Sequence, residues 1–325
     1  MTKLIIQIPC YNEEKTLGIT LSDLPRQLPG VDTVEWLIVD DGSTDRTVEI
    51  AKAYQVDHII RFPRNLGLAK AFVAGLEACV AAGADIIVNT DADNQYCADD
   101  IPKLIEPILK GKAEMVIGAR PIKRINHFSP TKKLLQKLGS WVVRLVSNTD
   151  TLDAPSGFRA MTRNVAMQLN VFNDYTYTLE TIIQAGQNGI AITSVPVRVN
   201  KQTRPSRLVK SIPSYLKRSA LTIIRIFVAY KPFRFFVSLG TILVGFGILI
   251  NLRFLYFYLI GEGQGKIQSL ILAAILLGIG FLIIIFGLIA DIISINRKLL
   301  EKLNWRVQKL EEILKAIEER SQIYK

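Results

Sequence analysis

IIVNTDADNQY, residues 86–96, runs an uncharged, strand-length stretch directly into two acids one residue apart. Short β-branched runs bounded by turn residues read as buried strands. Asp91 and Asp93 at such a strand end repel each other unless a cation or hydrogen-bond donors compensate. Carboxylate oxygens suit Mg²⁺ or Mn²⁺, and Mg²⁺ takes one or two carboxylates together with substrate phosphates. A divalent metal bridging a diphosphate is the expected occupant. The same pattern recurs on both sides. Strand candidates Leu4–Ile8, Glu35–Val39, Asp85–Thr90 and Met115–Gly118 alternate with helical stretches around Glu14–Leu24, Thr44–Tyr54, Leu68–Ala82 and Asp99–Lys110. This rhythm predicts an α/β domain whose mostly parallel sheet is covered on both faces. Ligands of such sheets bind beyond the carboxyl ends of the strands. PCYNEE (9–14), VDDGSTDRT (39–47) and NTDADNQY (89–96) all fall there. In the second cluster Gly42 permits a tight turn, and Ser43 or Thr44 is placed to cap the next helix.

Charge and hydropathy divide the 325 residues unevenly. Residues 1–200 hold 21 Lys/Arg against 22 Asp/Glu, whereas residues 201–325 hold 19 against 7. A nucleic-acid partner would require the basic excess on the folded domain, so no nucleic acid is expected. The excess flanks two apolar runs instead, Phe235–Ile260 with Arg253 its one charge and Ile267–Ala290 with none. By helical rise they reach about 39 and 36 Å, against a hydrocarbon core of about 30 Å. The short link 261–266 makes them a transmembrane hairpin. Nine Lys/Arg and no acid in residues 201–234 predict that both termini are cytoplasmic, in an inner or plasma membrane. Ser214–Tyr230 reads as an amphipathic helix in the headgroup layer. Residues 128–146 read as a second amphipathic helix, either interfacial or packed on the sheet. Leu300, Leu303, Val307, Leu310, Leu314 and Ile317 form a heptad seam, and Ala274 and Gly278 have small-residue spacing; both predict a homo-oligomer. The expected layout is an α/β domain over 1–210, a juxtamembrane helix over 211–232, two spans over 233–293 and a heptad-bearing helix over 294–325. Cys10, Cys79 and Cys97 form no paired motif, which disfavours a disulfide framework or a zinc site.

PCYNEE, VDDGSTDRT, RNLGLAKAF (64–72), TDADNQ (90–95), GAR (118–120) and DAPSGFRAMTR (153–163), in this order, resemble family 2 glycosyltransferases of the GT-A fold. Within that family the pattern is similar to the polyprenyl-phosphate enzymes, the dolichol-phosphate mannosyltransferases and bactoprenol-phosphate glucosyltransferases. The two carboxy-terminal spans are similar to the latter. The Gln-x-x-Arg-Trp motif of processive synthases is absent. The resemblance implies that Pro9, Tyr11 and Glu13 line the nucleotide pocket and that Asp41 addresses the uracil or ribose edge. It implies that Asp91 and Gln95 contact the nucleotide-sugar, and that Asp93, beside Asp91, holds Mg²⁺ or Mn²⁺ on the diphosphate. Arg120 resembles the family arginine near the sugar or phosphates. Asp153, Ser156 and Arg159 fall in the acceptor-side loop, and Arg198, Arg204 and Ser206 in a basic phosphate-binding stretch. There Pro205 departs from a more glycine-rich pattern.

The implied activity is inverting transfer of a sugar, glucose from UDP-glucose foremost, onto undecaprenyl phosphate with release of UDP. The alternatives are another donor (GDP-mannose, UDP-GlcNAc or UDP-aminoarabinose) or a non-catalytic scaffold. A phosphate monoester with a second pKa of about 6 is already largely a dianion at neutral pH and needs no base. Asp153 is therefore expected to orient the acceptor or stabilise charge at the anomeric carbon.

Overall fold

Two aliphatic runs buried on both faces, Lys3–Cys10 (β1) and Thr33–Asp40 (β2), pair in parallel from Lys3↔Thr33 to Cys10↔Asp40. They form the centre of a computed structural model that describes residues 1–121, 140–171, 177–200, 221–261 and 267–323, apart from single positions within 142–146 and 222–229. Five further strands complete the sheet: β3 (His58–Arg61), β4 (Ile86–Asn89), β5 (Met115–Ala119), β6 (Arg159–Thr162) and β7 (Ile192–Pro196). The order is β3-β2-β1-β4-β6-β5-β7. Every pairing is parallel except those of β6, which runs antiparallel to both β4 and β5. The sheet is thus mostly parallel, as expected, with one reversed strand. That reversal has a positional consequence. β6 starts at the carboxyl ends of its neighbours, so the residues preceding it arrive directly at the site (Asn89 pairs with Arg159).

Helices α1 (Leu17–Asp23), α2 (Thr47–Ala53), α3 (Leu68–Ala81), α4 (Ile101–Leu109), α5 (Arg163–Gln168) and α6 (Thr178–Gln187) connect the strands. In α3, Ala69, Phe72, Leu76 and Cys79 recur at three- and four-residue steps and are buried, the pattern of a helix packed on one face. A Cβ on Gly75 would lie 2.5 Å from Gln7 Oε1, so only glycine lets α3 seat this closely on β1. On one face of the sheet Leu4, Ile6, Ile8, Trp36, Ile38, Ile86 and Val88 pack with Leu17, Leu21, Leu104 and Ile105. Burying each such side chain stabilises the fold by about 1.5–3 kcal/mol. His58 opens β3, at the strand end opposite the polar clusters, and pairs with Glu35 (Nε2 to Oε2, 2.7 Å). Cys10, Cys79 and Cys97 are free thiols.

By its contacts the chain forms two units, Met1–Ser219 with Asn304–Lys325, and Ala220–Leu303. The second contains α7 (Pro232–Leu259) and the first part of α8 (Ile267–Ile323). Both are long and apolar enough to cross a membrane, with mean hydropathy of 2.2 and 3.0 over an 18-residue stretch of each. Their apolar side chains are largely exposed, unlike those of a soluble core helix. The two helices meet along small residues. A Cβ on Gly240 would lie 2.7 Å from Gly280 O, one on Gly247 3.1 Å from Ala273 O, and one on Gly287 2.9 Å from Phe236 Cβ. This seam runs along small residues that the sequence reading did not single out. Ala274 is exposed and Gly278 has nothing within 4 Å of its would-be Cβ, so that pair faces outward. The helix also runs unbroken past 293/294. Of the heptad residues, Leu300, Leu303, Val307, Leu310 and Leu314 are exposed. Arg253 lies exposed near the far end of α7, its guanidinium 5.6 Å from the Phe257 ring.

The seam predicts a contrast between two glycines of one helix. Gly280→Val overpacks the contact with Val244 and Gly240 and should cost about 1–3 kcal/mol. Gly278→Val should stay within about 0.5 kcal/mol. Unfolding of the detergent-solubilised chain reads both; equal losses would mean that the two helices do not pair through this face.

Candidate active site

The loops after β1 and β2 are stitched together by their own side chains. Pro9 lies two residues past the last β1–β4 pair, Gln7↔Asn89, where its missing N–H leaves no ladder bond unmade on that side. Asn12 turns the chain in the left-handed region (φ 54). Its N–H donates to Ser43 Oγ (2.8 Å), and its side-chain oxygen accepts from Thr44 N–H (2.9 Å). Glu13 N–H donates to Thr47 Oγ1 (2.9 Å), while the buried Glu13 carboxylate accepts from Thr16 Oγ1 (2.7 Å). Tyr11 projects from the stitched loop, exposed. Asp41 is directed elsewhere. Its oxygens accept from Leu66 N–H (2.6 Å) and Gly67 N–H (3.0 Å), and the side chain is buried. Burial raises its pKa, and the two N–H donors partly offset that. Asp41 therefore holds the 64–67 loop. Gly42 (φ 71) completes the arrangement: a Cβ there would lie 2.7 Å from Arg64 Cα.

At the end of β4, Asp91 and Asp93 stand in the partly buried turn 91–95. Asp93 Oδ1 accepts from Gln95 N–H (3.1 Å), and Asn94 (φ 53) supplies the left-handed step. Asn94 Nδ2 is tied to Asp23 (2.8 Å), and Gln95 O accepts from Asn200 N–H (2.9 Å). Burial first, and then the Asp93 charge, push the Asp91 carboxyl up to about 7, against a pull downward from Arg120 and Arg159. Among the described residues no three His, Cys, Asp or Glu gather into a metal cage. Two crowded carboxylates fit a cation whose other ligands come from a diphosphate and water.

Arg120, just past β5, and Asp153 form the most thoroughly bonded pair of the site. Asp153 Oδ2 accepts from Arg120 N–H (3.2 Å) and Nε (2.7 Å), and Oδ1 accepts from Nη2 (3.0 Å). Both side chains are nearly buried. Burial pulls the Arg120 pKa down, but Tyr96 and Asp153 outweigh it and the net shift is upward.

The acceptor-side expectations change most. Ser156 and Arg159 are fully buried. The Arg159 guanidinium donates to Thr181 Oγ1 (2.6 Å), to Thr178 O (3.3 Å) and to Ser156 O. It braces α6 against the 153–158 loop. Arg198 is clipped to Asp100, its N–H on Oδ2 (2.6 Å) and its Nε on Oδ1 (3.1 Å). It fastens the end of β7 to the start of α4. Arg204 and Ser206 lie outside the described residues, as do most of 128–146 and 211–232.

Four residues to which the motifs gave no role, Asn89, Tyr96, Gly157 and Tyr177, lie under the site. Asn89 Nδ2 donates to Gly157 O (2.7 Å) and Tyr177 Oη (3.0 Å), and Asn89 Oδ1 accepts from Gln7 Nε2 (2.9 Å). Gly157 N–H donates to Tyr96 Oη (3.0 Å). Tyr177 stacks on Phe72 at 3.8 Å. The one signal available was an asparagine inside an otherwise apolar strand, since a buried amide requires partners.

Comparison with known proteins agrees with this fold. The UDP-N-acetylglucosamine–dolichyl-phosphate N-acetylglucosaminyltransferase of Methanococcus voltae is 32% identical over 213 residues, 59% of this chain and 83% of that protein. The undecaprenyl-phosphate mannosyltransferase of Micrococcus luteus is 27% identical over 205 residues, 60% of this chain and 82% of that protein. Among solved structures, the glucosyl-3-phosphoglycerate synthase of Mycobacterium tuberculosis, in complex with Mn²⁺, UDP and phosphoglyceric acid, superimposes with a TM-score of 0.54. It is 20% identical and covers 70% of this chain and 78% of its own, a likeness of fold. Residues 5–169 match the profile of glycosyl transferase family 2, and the chain belongs to that family.

Proposed function

We propose that this chain is an inverting glycosyltransferase that carries a sugar from a nucleoside diphosphate, UDP foremost, onto a membrane polyprenyl phosphate. The observation that carries the reading is the pairing of a crowded Asp91–Asp93 turn with a locked Arg120–Asp153 pair at the same strand ends. Family membership and relatives named for dolichyl and undecaprenyl phosphates support it. Asp91 and Asp93 would hold Mg²⁺ or Mn²⁺, which when bound supplies positive charge to a departing diphosphate.

The chain's own residues do the rest. The stitched loops 9–14 and 41–47 form a rigid wall for the nucleotide, with exposed Tyr11 offering a ring to a base and Gln95 held beside the carboxylates. Arg120, oriented by Asp153, sets a fixed positive charge where a phosphate or sugar oxygen gains negative charge. An acceptor phosphate oxygen bonds to the anomeric carbon as the bond to the diphosphate breaks, and its electron pair leaves with UDP. No proton moves, so Asp153 need not accept one. Its oxygens are already engaged by three Arg120 N–H contacts. The acceptor's apolar tail cannot leave a bilayer, which gives α7 and α8 their purpose: they keep the strand ends at headgroup height. The Lys/Arg-rich stretch 201–234 sets the domain and both termini on the cytoplasmic side and draws anionic headgroups, at about 1 kcal/mol per basic residue. The exposed heptad side chains of α8 offer a second copy a seam. Glucose is the sugar suggested by the two-span resemblance, whereas the relatives are named for N-acetylglucosamine and mannose.

Membranes containing the chain, given undecaprenyl phosphate and a panel of nucleotide-sugars, should yield one sugar-phosphate lipid by mass analysis, with release of UDP. No product from any donor would remove the reading. Asp93→Ala should lower kcat on the order of 10²–10³-fold, the scale of lost charge stabilisation. Asp153→Asn should lower kcat while keeping the acidic limb at about pH 6, since that limb belongs to the acceptor phosphate. Loss of the limb in Asp153→Asn would make Asp153 the base.

A pH effect follows from Asp91 itself. Its folded pKa of about 7 lies above the unfolded value of about 3.9. The folded chain therefore binds the extra proton, and stability contributed by protonated Asp91 is lost as pH rises through about 7. Without divalent cation, Asp91→Asn should raise the melting temperature at about pH 8 and change it little at about pH 4. Added Mn²⁺ should stabilise the native chain and not the variant.

A further inference from the structure

Gly157 is held by groups to which the motifs gave no role. Its N–H donates to Tyr96 Oη (3.0 Å), and its carbonyl accepts from Asn89 Nδ2 (2.7 Å). A Cβ on this glycine would lie 3.0 and 3.1 Å from the two Asp91 carboxylate oxygens and 3.1 Å from Tyr177 Oη. The space beside its Cα is thus shared by the Asp91 carboxylate and the Tyr177 hydroxyl. Tyr177 is held in turn by its 3.8 Å stack on Phe72 and by Asn89, itself held by Gln7. On the other side, Ser156 N–H donates to Asp153 O (3.1 Å), and Arg120 grips the Asp153 side chain. One peptide therefore connects the carboxylate turn after β4 to the Arg120–Asp153 pair.

We propose that Gly157, clamped by Tyr96, Asn89 and Tyr177, is a positioning residue for Asp91: its bare Cα forms the floor against which that carboxylate is set for the metal–diphosphate end of the donor. The inference rests on the functional reading above and adds a residue that acts through Asp91. A methyl group at 157 has two neighbours to displace, an anionic carboxylate and a hydroxyl anchored by an aromatic stack. Because the stack holds the tyrosine, the carboxylate yields. Removing the tyrosine oxygen opens the opposite side, and the methyl then has somewhere to go.

The test is UDP binding to the purified full-length chain in detergent, by calorimetry with and without Mn²⁺, beside thermal unfolding of each variant. Gly157→Ala should weaken Mn²⁺-dependent UDP affinity on the order of tenfold and leave Mn²⁺-independent affinity near that of the native chain. Tyr177→Phe alone should change it by about twofold, and Gly157→Ala/Tyr177→Phe should bind more tightly than Gly157→Ala, an interaction between neighbouring sites. Tyr96→Phe, which removes only the oxygen accepting the Gly157 N–H, should weaken the Mn²⁺-dependent affinity alone and stands in if Gly157→Ala does not fold. A merely structural glycine would lower both affinities together with the melting temperature, and that result overturns the proposal. So does an additive double variant, or native affinity in a folded Gly157→Ala. A native chain that binds no UDP with Mn²⁺ would remove the functional reading and the inference with it; a native chain that binds normally while every variant matches it would remove the inference alone.

Discussion

Two carboxylates separated by one residue, at the mouth of a strand buried on all sides, form an arrangement that folding alone disfavours. Desolvating charge is costly unless partners compensate, and Asp91 and Asp93 add their mutual repulsion to it. The surrounding structure is organised around that strain. Asn94 takes a left-handed conformation so that the turn closes over Asp93, and its amide is anchored on Asp23 of α1. Positive charge comes from Arg120 and Arg159, both of which lower the cost of an ionised Asp91. Neither pairs with it directly: Arg120 is committed to Asp153, and Arg159 to hydroxyl and carbonyl oxygens. Asp91 is thus left with charge that is partly compensated, which is the condition for a cation to bind and release.

Rigidity is distributed unevenly around this point. On the nucleotide side, loops after different strands share side-chain-to-backbone bonds: Asn12 with Thr44, Glu13 with Thr47, Asp41 with Leu66 and Gly67. Such cross-loop bonds remove the freedom that binding would otherwise have to remove, so the wall is organised before a donor arrives. On the acceptor side the bonds run inward, from Arg159 to α6 and from Arg198 to Asp100.

The parallel half of the fold was legible because each strand is a short aliphatic run followed at once by polar turn residues, so β1, β2, β4 and β5 and the helices between them fall close to their expected limits. β6 escaped because Arg159–Thr162 carries an arginine and a threonine and has no alternation, although the sheet buries it between β4 and β5. The same arginine shows the limit of motif reading. A cation in an acceptor-side loop suggests a phosphate, yet burial turned it into a brace. Asp41 and Arg198 follow suit, since residue type cannot say whether a charge faces a ligand or its own backbone. Small-residue spacing identifies a helix that can pack closely but not its partner: the hairpin uses Ala273, Gly280 and Gly287, while Ala274 and Gly278, read for self-association, face outward. Tyr177 lies in no motif and Gly157 is an uncharged member of one, so both become visible only once three separate segments are brought to one point.

The Arg120–Asp153 pair links architecture to the kind of acceptor such a site can serve. Were the acceptor a sugar hydroxyl, a carboxylate at this place would have to remain free to take a proton as the bond forms. Asp153 is not free in that sense, because three N–H contacts from one residue occupy its oxygens and fix its plane. In the proposed reaction a phosphate dianion would arrive without a proton to give up but with charge that must be met, and a guanidinium held immobile by that carboxylate would meet it. Locking the carboxylate and choosing an anionic acceptor are then two sides of one arrangement: the bond that spoils Asp153 as a base is what makes Arg120 a fixed cation. The two apolar helices fit the same logic, since an anionic acceptor with a polyprenyl tail is confined to the bilayer surface, and a site built to receive it has to be held there.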